Sequence, residues 1–145
     1  MNGRIGLFIV LLGVAVAVGC GSGSDLPLVP TSGTLTFDGG PPPASGSINF
    51  VMVTGTGLDG LPDRPGSSTF GTDGKFVVSS FKKGDGLLPG KYTAKINCFV
   101  GTPNESDPSS YAELDRVPQD FQPELTVEEG SRPIEVEFDV PPKKK

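Results

Sequence analysis

Two thiols, a set of loop carboxylates and no imidazole make up the reactive inventory of this chain. Cys20 follows an apolar run, Ile5 to Val18, and precedes Gly21-Ser22-Gly23-Ser24. A thiol in that setting reads as the acceptor of a lipid, with the chain cut just before it. Asp59, Asp63, Asp73 and Asp85 sit in Gly-rich loops, where carboxylate oxygens could gather round Ca²⁺. No fixed spacing of the EF-hand kind joins them, so turn-forming aspartates on solvated loops are the expectation, and no metal or other cofactor is assigned. Cys98 is the second thiol; a reactive one needs an electropositive, partly exposed site. It falls among alternating apolar residues and is expected to be buried and inert.

The total lack of histidine removes the commonest general base, the Ser-His pairings and the usual catalytic zinc ligand sets. With no Trp and only Tyr92 and Tyr111, an exposed aromatic platform for sugars is not expected. Tyr92 alternates inward, whereas Tyr111 is the better candidate for exposure.

The elements that position these groups begin with the leader. Arg4 is the only charge before Cys20, and the apolar run has 14 residues, short of the roughly 20 that a spanning helix needs. Ala17-Val18-Gly19 puts small residues beside the cut. Ala17 stands where such signals usually carry Leu, which leaves an ordinary secretory signal with an incidental Cys20 as the alternative. The expected organisation is a signal peptide over 1–19, a lipidated Cys20 with a flexible tether over 20–31, a β-sandwich over 32–140 and a basic tail over 141–145. Several acyl chains on one cysteine hold a protein firmly at a membrane. The expected location is therefore exported and lipid-anchored at a cell-envelope membrane, with envelope proteins as possible partners.

Removing the leader takes away one basic residue and none of the 17 acids, so the net charge moves from −5 to −6. That argues against nucleic acid, which wants a basic face. The 126 residues left are enough for one domain. The 21 Gly and 15 Pro of the whole chain point to many turns.

Period-2 alternation marks the strands. Gly33 to Phe37, Ser47 to Val53, Lys91 to Val100, Leu125 to Val127 and Ile134 to Val140 carry it. In the second, Ile48, Phe50 and Met52 face one way, while Val51 and Val53 suggest that the other face is partly covered. Ser67 to Phe81 reads as a hairpin round Asp73-Gly74. A two-residue loop would send Phe70 and Phe76 to opposite faces. A three-residue loop with Gly74 left-handed pairs them on one face and is preferred. Pro89-Gly90 suggests a type II turn. Ser110-Tyr111-Ala112-Glu113 fits a capping box with Ser110 as N-cap, starting a helical turn from Tyr111 to about Asp115. The tail Pro141 to Lys145 is expected to fray. The fold class expected is all-β, a two-sheet β-sandwich of about seven strands, prealbumin-like or Ig-like. Leu35, Phe50, Phe76, Tyr92, Ile96, Val136 and Phe138 are expected to share its core.

These segments carry a resemblance. A strand and Asp-Gly turn (Ser32 to Gly39) come first, then Thr-Asp-Gly-Lys-Phe (Thr72 to Phe76) and Gly-Asp-Gly-Leu-Leu-Pro-Gly-Lys-Tyr (Gly84 to Tyr92). Leu-Thr-Val-Glu-Glu-Gly with an alternating strand (Leu125 to Val140) ends the series. In this order they resemble the small lipoproteins of planctomycete-type bacteria described as carboxypeptidase-regulatory-like or transthyretin-like. The resemblance implies a prealbumin-like sandwich and no settled activity. Some transthyretin-like proteins hydrolyse a purine-derived ring with His, which this chain lacks. The acidic stretch Glu105 to Asp120 departs from the pattern.

Three functions follow as expectations. The first is a non-enzymatic, lipid-anchored binding or structural module, using an open sheet edge or the loops Thr54 to Ser68 and Gly101 to Pro123. The second is a metal-dependent enzyme built on the loop carboxylates. The third is an accessory subunit of a larger envelope complex.

Overall fold

Among the described residues, alternating burial along short segments builds seven strands, joined by one short helix. In chain order they are β1 (Thr31–Phe37), β2 (Gly46–Gly55), β3 (Gly66–Phe70), β4 (Lys75–Val77), β5 (Gly90–Asn97), α1 (Ser109–Leu114), β6 (Glu124–Val127) and β7 (Ile134–Val140). The computed structural model describes residues 26–55 and 64–144. The leader, Cys20, Asp59 and Asp63 lie outside the described residues. Among those described, no helix is long and apolar enough to cross a membrane.

The strands form a three-stranded sheet, β4-β1-β7, and a four-stranded sheet, β3-β2-β5-β6. β1 and β7 run parallel, in register from Thr31–Ile134 to Phe37–Val140; every other strand pair is antiparallel. A parallel pair needs a long crossover, and here nearly the whole domain lies between its two strands.

A single apolar core is shared by the two sheets. Phe50 comes from the four-stranded sheet, Phe76 and Phe138 from the other. The Phe76 and Phe138 rings stack at 6.1 Å and 4°, and Phe50 meets them at 6.3 and 6.4 Å. Each such side chain contributes roughly 1.5–3 kcal/mol by leaving water. Leu35, Tyr92 and Ile96 are buried with them, while Val136 is half-buried against the cluster. Gly33 makes this packing possible. A Cβ there would overlap the Val136 carbonyl and come within 2.6 Å of the Phe76 ring.

Several expectations are corrected. The hairpin from Ser67 to Phe81 closes only at its base, where Ser67 and Ser79 exchange both backbone hydrogen bonds at 2.9 Å. That bridge has the register that would pair Phe70 with Phe76, but toward the tip the strands part. Phe70 pairs with Gly46 in one sheet and Phe76 with Gly33 in the other. Both rings still reach the common core. Gly74 is left-handed (φ 73°) and its carbonyl accepts the Leu35 N–H at 2.8 Å, fastening the tip to β1. Gly90 makes no type II turn. Its φ of 156° is far from the roughly +80° required, and it is already paired with Val127 as the first residue of β5.

Ser110 is not the N-cap. It lies inside α1, with its Oγ donating to the Asp107 carbonyl at 2.7 Å, while the Asp107 carboxylate accepts the Ser109 N–H at 3.0 Å just ahead of the helix. The face of β2 carrying Val51 and Val53 is open, at 38% and 65% exposure. Val29 is buried against Leu87 and Thr31 opens β1, so the described fold begins before Ser32. The tail is not simply frayed. Lys143 Nζ donates to the carbonyls of Ala112 and Asp115 at 2.5 and 3.0 Å, where α1 ends.

Candidate binding cleft beside the short helix

The site is built outward from the end of β5. Cys98 follows the last paired residue, Asn97, and is fully buried. Its thiol lies 3.4 Å from the Ala44 carbonyl. Burial pushes the Cys98 thiol above its ordinary pKa, and the charge of Asp115 adds to that rise. The group is inert in the sense that thiolate chemistry requires.

Asp115 organises the loop that returns from α1. Its Oδ1 accepts the N–H of Cys98 at 3.0 Å and of Val117 at 3.1 Å, and its Oδ2 accepts Asn97 Nδ2 at 3.0 Å. Backbone bonds reinforce the seam: Arg116 donates to the Cys98 carbonyl at 2.8 Å and Val100 to that of Leu114 at 3.0 Å. The polar segment from Gly101 to Pro123 is thus pinned to β5 by one carboxylate and anchored below by buried Val117.

The pinning leaves a cleft of about 650 Å³ between α1, β5 and the Gln119–Gln122 turn. Its apolar wall carries Phe99, Tyr111 and Phe121. Phe99 meets Tyr111 edge to face at 5.9 Å and 86°, and Tyr111 remains 42% exposed. The polar lining includes Lys95, Asn97, Gln119, Gln122 and Lys143. A cavity of a few hundred Å³ with an aromatic wall and a few polar groups is suited to a small ligand. The one lining carboxylate among the described residues, Asp115, is engaged by three donors.

Of the loop aspartates, Asp73 and Asp85 fall among the described residues, and each is held in its own turn. Asp73 accepts the Lys75 N–H at 3.2 Å within its own turn. Asp85 accepts the N–H groups of Ser80, Phe81 and Lys82 at 2.8, 3.0 and 2.7 Å. Partial burial raises the Asp85 pKa, but these donors outweigh it and hold the carboxyl below its ordinary value. Among the described residues no group of three His, Cys, Asp or Glu side chains could hold a metal ion. A second depression, about 900 Å³, lies where β3 and β4 part, lined by Ser47, Asn49, Thr69, Lys75 and Val77.

Sequence reading singled out the Gly101–Pro123 loop and Tyr111, but not Phe99, Phe121, Asp115 or Lys143 as their partners. The adjacent pair Asn97-Cys98 and the acid at Asp115 carry no spacing signal, because the contact is made across a loop. Comparison with family models, with curated proteins and with solved structures gives no match. The architecture stands on its own: an all-β domain of two sheets with a cleft at one end of β5.

Proposed function

We propose that the protein is a lipid-anchored module of the cell envelope, tethered through Cys20, that binds rather than catalyses. The anchoring rests on the residues around Cys20: the short apolar run, the small residues before it and the Gly-Ser stretch after it. A prealbumin-like or Ig-like sandwich akin to the planctomycete-type lipoproteins fits the two sheets and the shared core. We prefer this binding role to a carboxylate-based metalloenzyme because Asp73 and Asp85 are each taken up by their own turns.

The observation that carries the binding role is Tyr111, half-open at the mouth of the cleft and backed edge-on by Phe99. A ring held in this way offers an apolar face at low entropic cost. Around it Lys95 and Gln119 add polar groups, while Asn97, Gln122 and Lys143 already donate to Asp115, to the Gln119 carbonyl and to the carbonyls of Ala112 and Asp115. The ligand expected is small, with one flat or apolar face and polar groups on its edge.

Titration of the isotope-labelled chain in detergent with a panel of saccharides and small organic acids tests this. Binders should shift the amide resonances of Lys95, Asn97, Tyr111 and Gln122, and Tyr111→Ala should weaken them about tenfold or more. Ligands that bind without touching these residues would count against the cleft.

A further inference from the structure

The three-stranded sheet presents an open strand edge. β7 ends the three-stranded sheet, with β1 on one side only. Along a strand, successive residues turn their N–H and C=O to alternate sides. Ile134 donates to Pro30 at 2.8 Å, and Asp38 donates to the Val140 carbonyl at 2.9 Å. Ile134, Val136, Phe138 and Val140 therefore spend their backbone groups on β1. Those of Glu135, Glu137 and Asp139 point outward, and among the described residues no hydrogen bond reaches them.

Sheet edges are ordinarily blunted by a bulge, an internal proline, shortness or charged side chains. β7 has only the last of these: it is seven residues long, contains no Pro, keeps an unbroken register with β1, and carries three acids whose single sign repels a like edge but not a basic one. Prolines flank it at Pro133 and Pro141, which limits the open edge to the strand itself. The other edge strands among the described residues are shorter: β3 has five residues, β4 three and β6 four.

We propose that the free edge of β7 is a docking strand for an extended cationic segment of a partner protein, added to the sheet by main-chain pairing. The charges choose the partner. Glu135, Glu137 and Asp139 are all exposed on the outer face of the sheet. A second copy of β7 would set carboxylate against carboxylate, which is unfavourable directly across a strand pair. A strand with Lys or Arg at alternate positions forms opposite-charge pairs instead. The inner face adds a second requirement. Ile134 and Val136 are only half-buried, so apolar residues at the intervening positions of the incoming strand would cover them. The partner segment is thus about seven residues that alternate basic and aliphatic side chains, bound as in other cases of β-addition. The inference uses neither the cleft nor the lipid anchor.

The probes are capped seven-residue peptides of alternating Lys and Val, the Glu and Val counterpart, and a Lys and Val peptide N-methylated along one edge. Hydrogen exchange is read at the amides of Glu135, Glu137 and Asp139 in the full chain in detergent. These amides should exchange freely in the protein alone. The Lys peptide should slow them about tenfold or more, and the Glu peptide and the N-methylated peptide should not. In the variant carrying Glu135→Lys and Glu137→Lys the preference should reverse, because both side chains are exposed and the fold does not depend on them. Protection of these amides in the protein alone would overturn the proposal. So would Lys-peptide binding that leaves them unprotected, or equal binding of the N-methylated peptide, since each reduces the contact to charge alone.

Discussion

Asp115 Oδ1 accepts the backbone N–H of Cys98 at 3.0 Å, tying the loop after α1 to the end of β5. The same oxygen takes the Val117 N–H, and the other oxygen takes Asn97. Replacing Asp115 by Ala leaves those donors without a partner in a half-buried seam. The expected loss is about 1–3 kcal/mol, read as a lower melting temperature with faster amide exchange at Cys98 and Val117. Asp115→Asn keeps part of the acceptor capacity and should cost less. Unchanged exchange in both variants would contradict the role given to this carboxylate.

Cys98 should resist labelling in the folded protein, because it is buried and its pKa is pushed up. A maleimide at neutral pH should react only as fast as the domain opens. Cys98→Ser places a hydroxyl in the core at a cost of about 1–3 kcal/mol. The Ala44 carbonyl, 3.4 Å from the sulfur, can accept that hydroxyl and keeps the cost near the lower end. Labelling of the native thiol within seconds would contradict its burial.

Acid should weaken the loop closed by Asp85. Its carboxyl is held below the ordinary value of 3.8 by the N–H groups of Ser80, Lys82 and Phe81 against the opposing effect of burial. The unfolded chain therefore takes up this proton first as pH falls. The stabilisation is complete above the unfolded value, near pH 4, and is lost as pH falls through the lower folded value. Urea midpoints of the protein and of Asp85→Asn should differ most near neutrality and converge as pH falls well below 3.8. Asp139, hydrogen-bonded by Gly39 and Thr36, shifts in the same direction. A difference independent of pH would contradict the assignment to Asp85.

The final strand separates core from surface within two residues. Phe138→Ala removes a ring that packs on Phe50 and Phe76 and should cost about 3–5 kcal/mol. Glu137→Ala, on the exposed face, should stay within about 0.5 kcal/mol. Chemical denaturation of both variants checks the pair, and equal effects would contradict the two-sheet packing.

Alternation along the chain made the strands and most of the core legible, because it reports which face a side chain takes. It does not report the neighbour. Phe70 and Phe76 read correctly as inward residues, yet nothing in Ser67 to Phe81 shows that the tip divides between two sheets. The parallel contact of β1 with β7 joins the two ends of the domain and has no local signature. Leu87 and Leu88 lie between turn residues and carry no alternation, yet both are buried. The cleft was least legible of all. Tyr111 could be singled out as exposed, but Asp115 and Lys143 acquire their roles only through contacts across loops.

The proposed place at the cell envelope rests on the identity of the first residue of the mature protein. Mass spectrometry of the protein extracted from native membranes should give an N-terminal peptide that begins at Cys20 and carries a diacylglyceryl group on the sulfur. Cys20→Ser should abolish both that mass and recovery in the membrane fraction. A chain that begins elsewhere, or an unmodified Cys20 in membrane-bound protein, would contradict it.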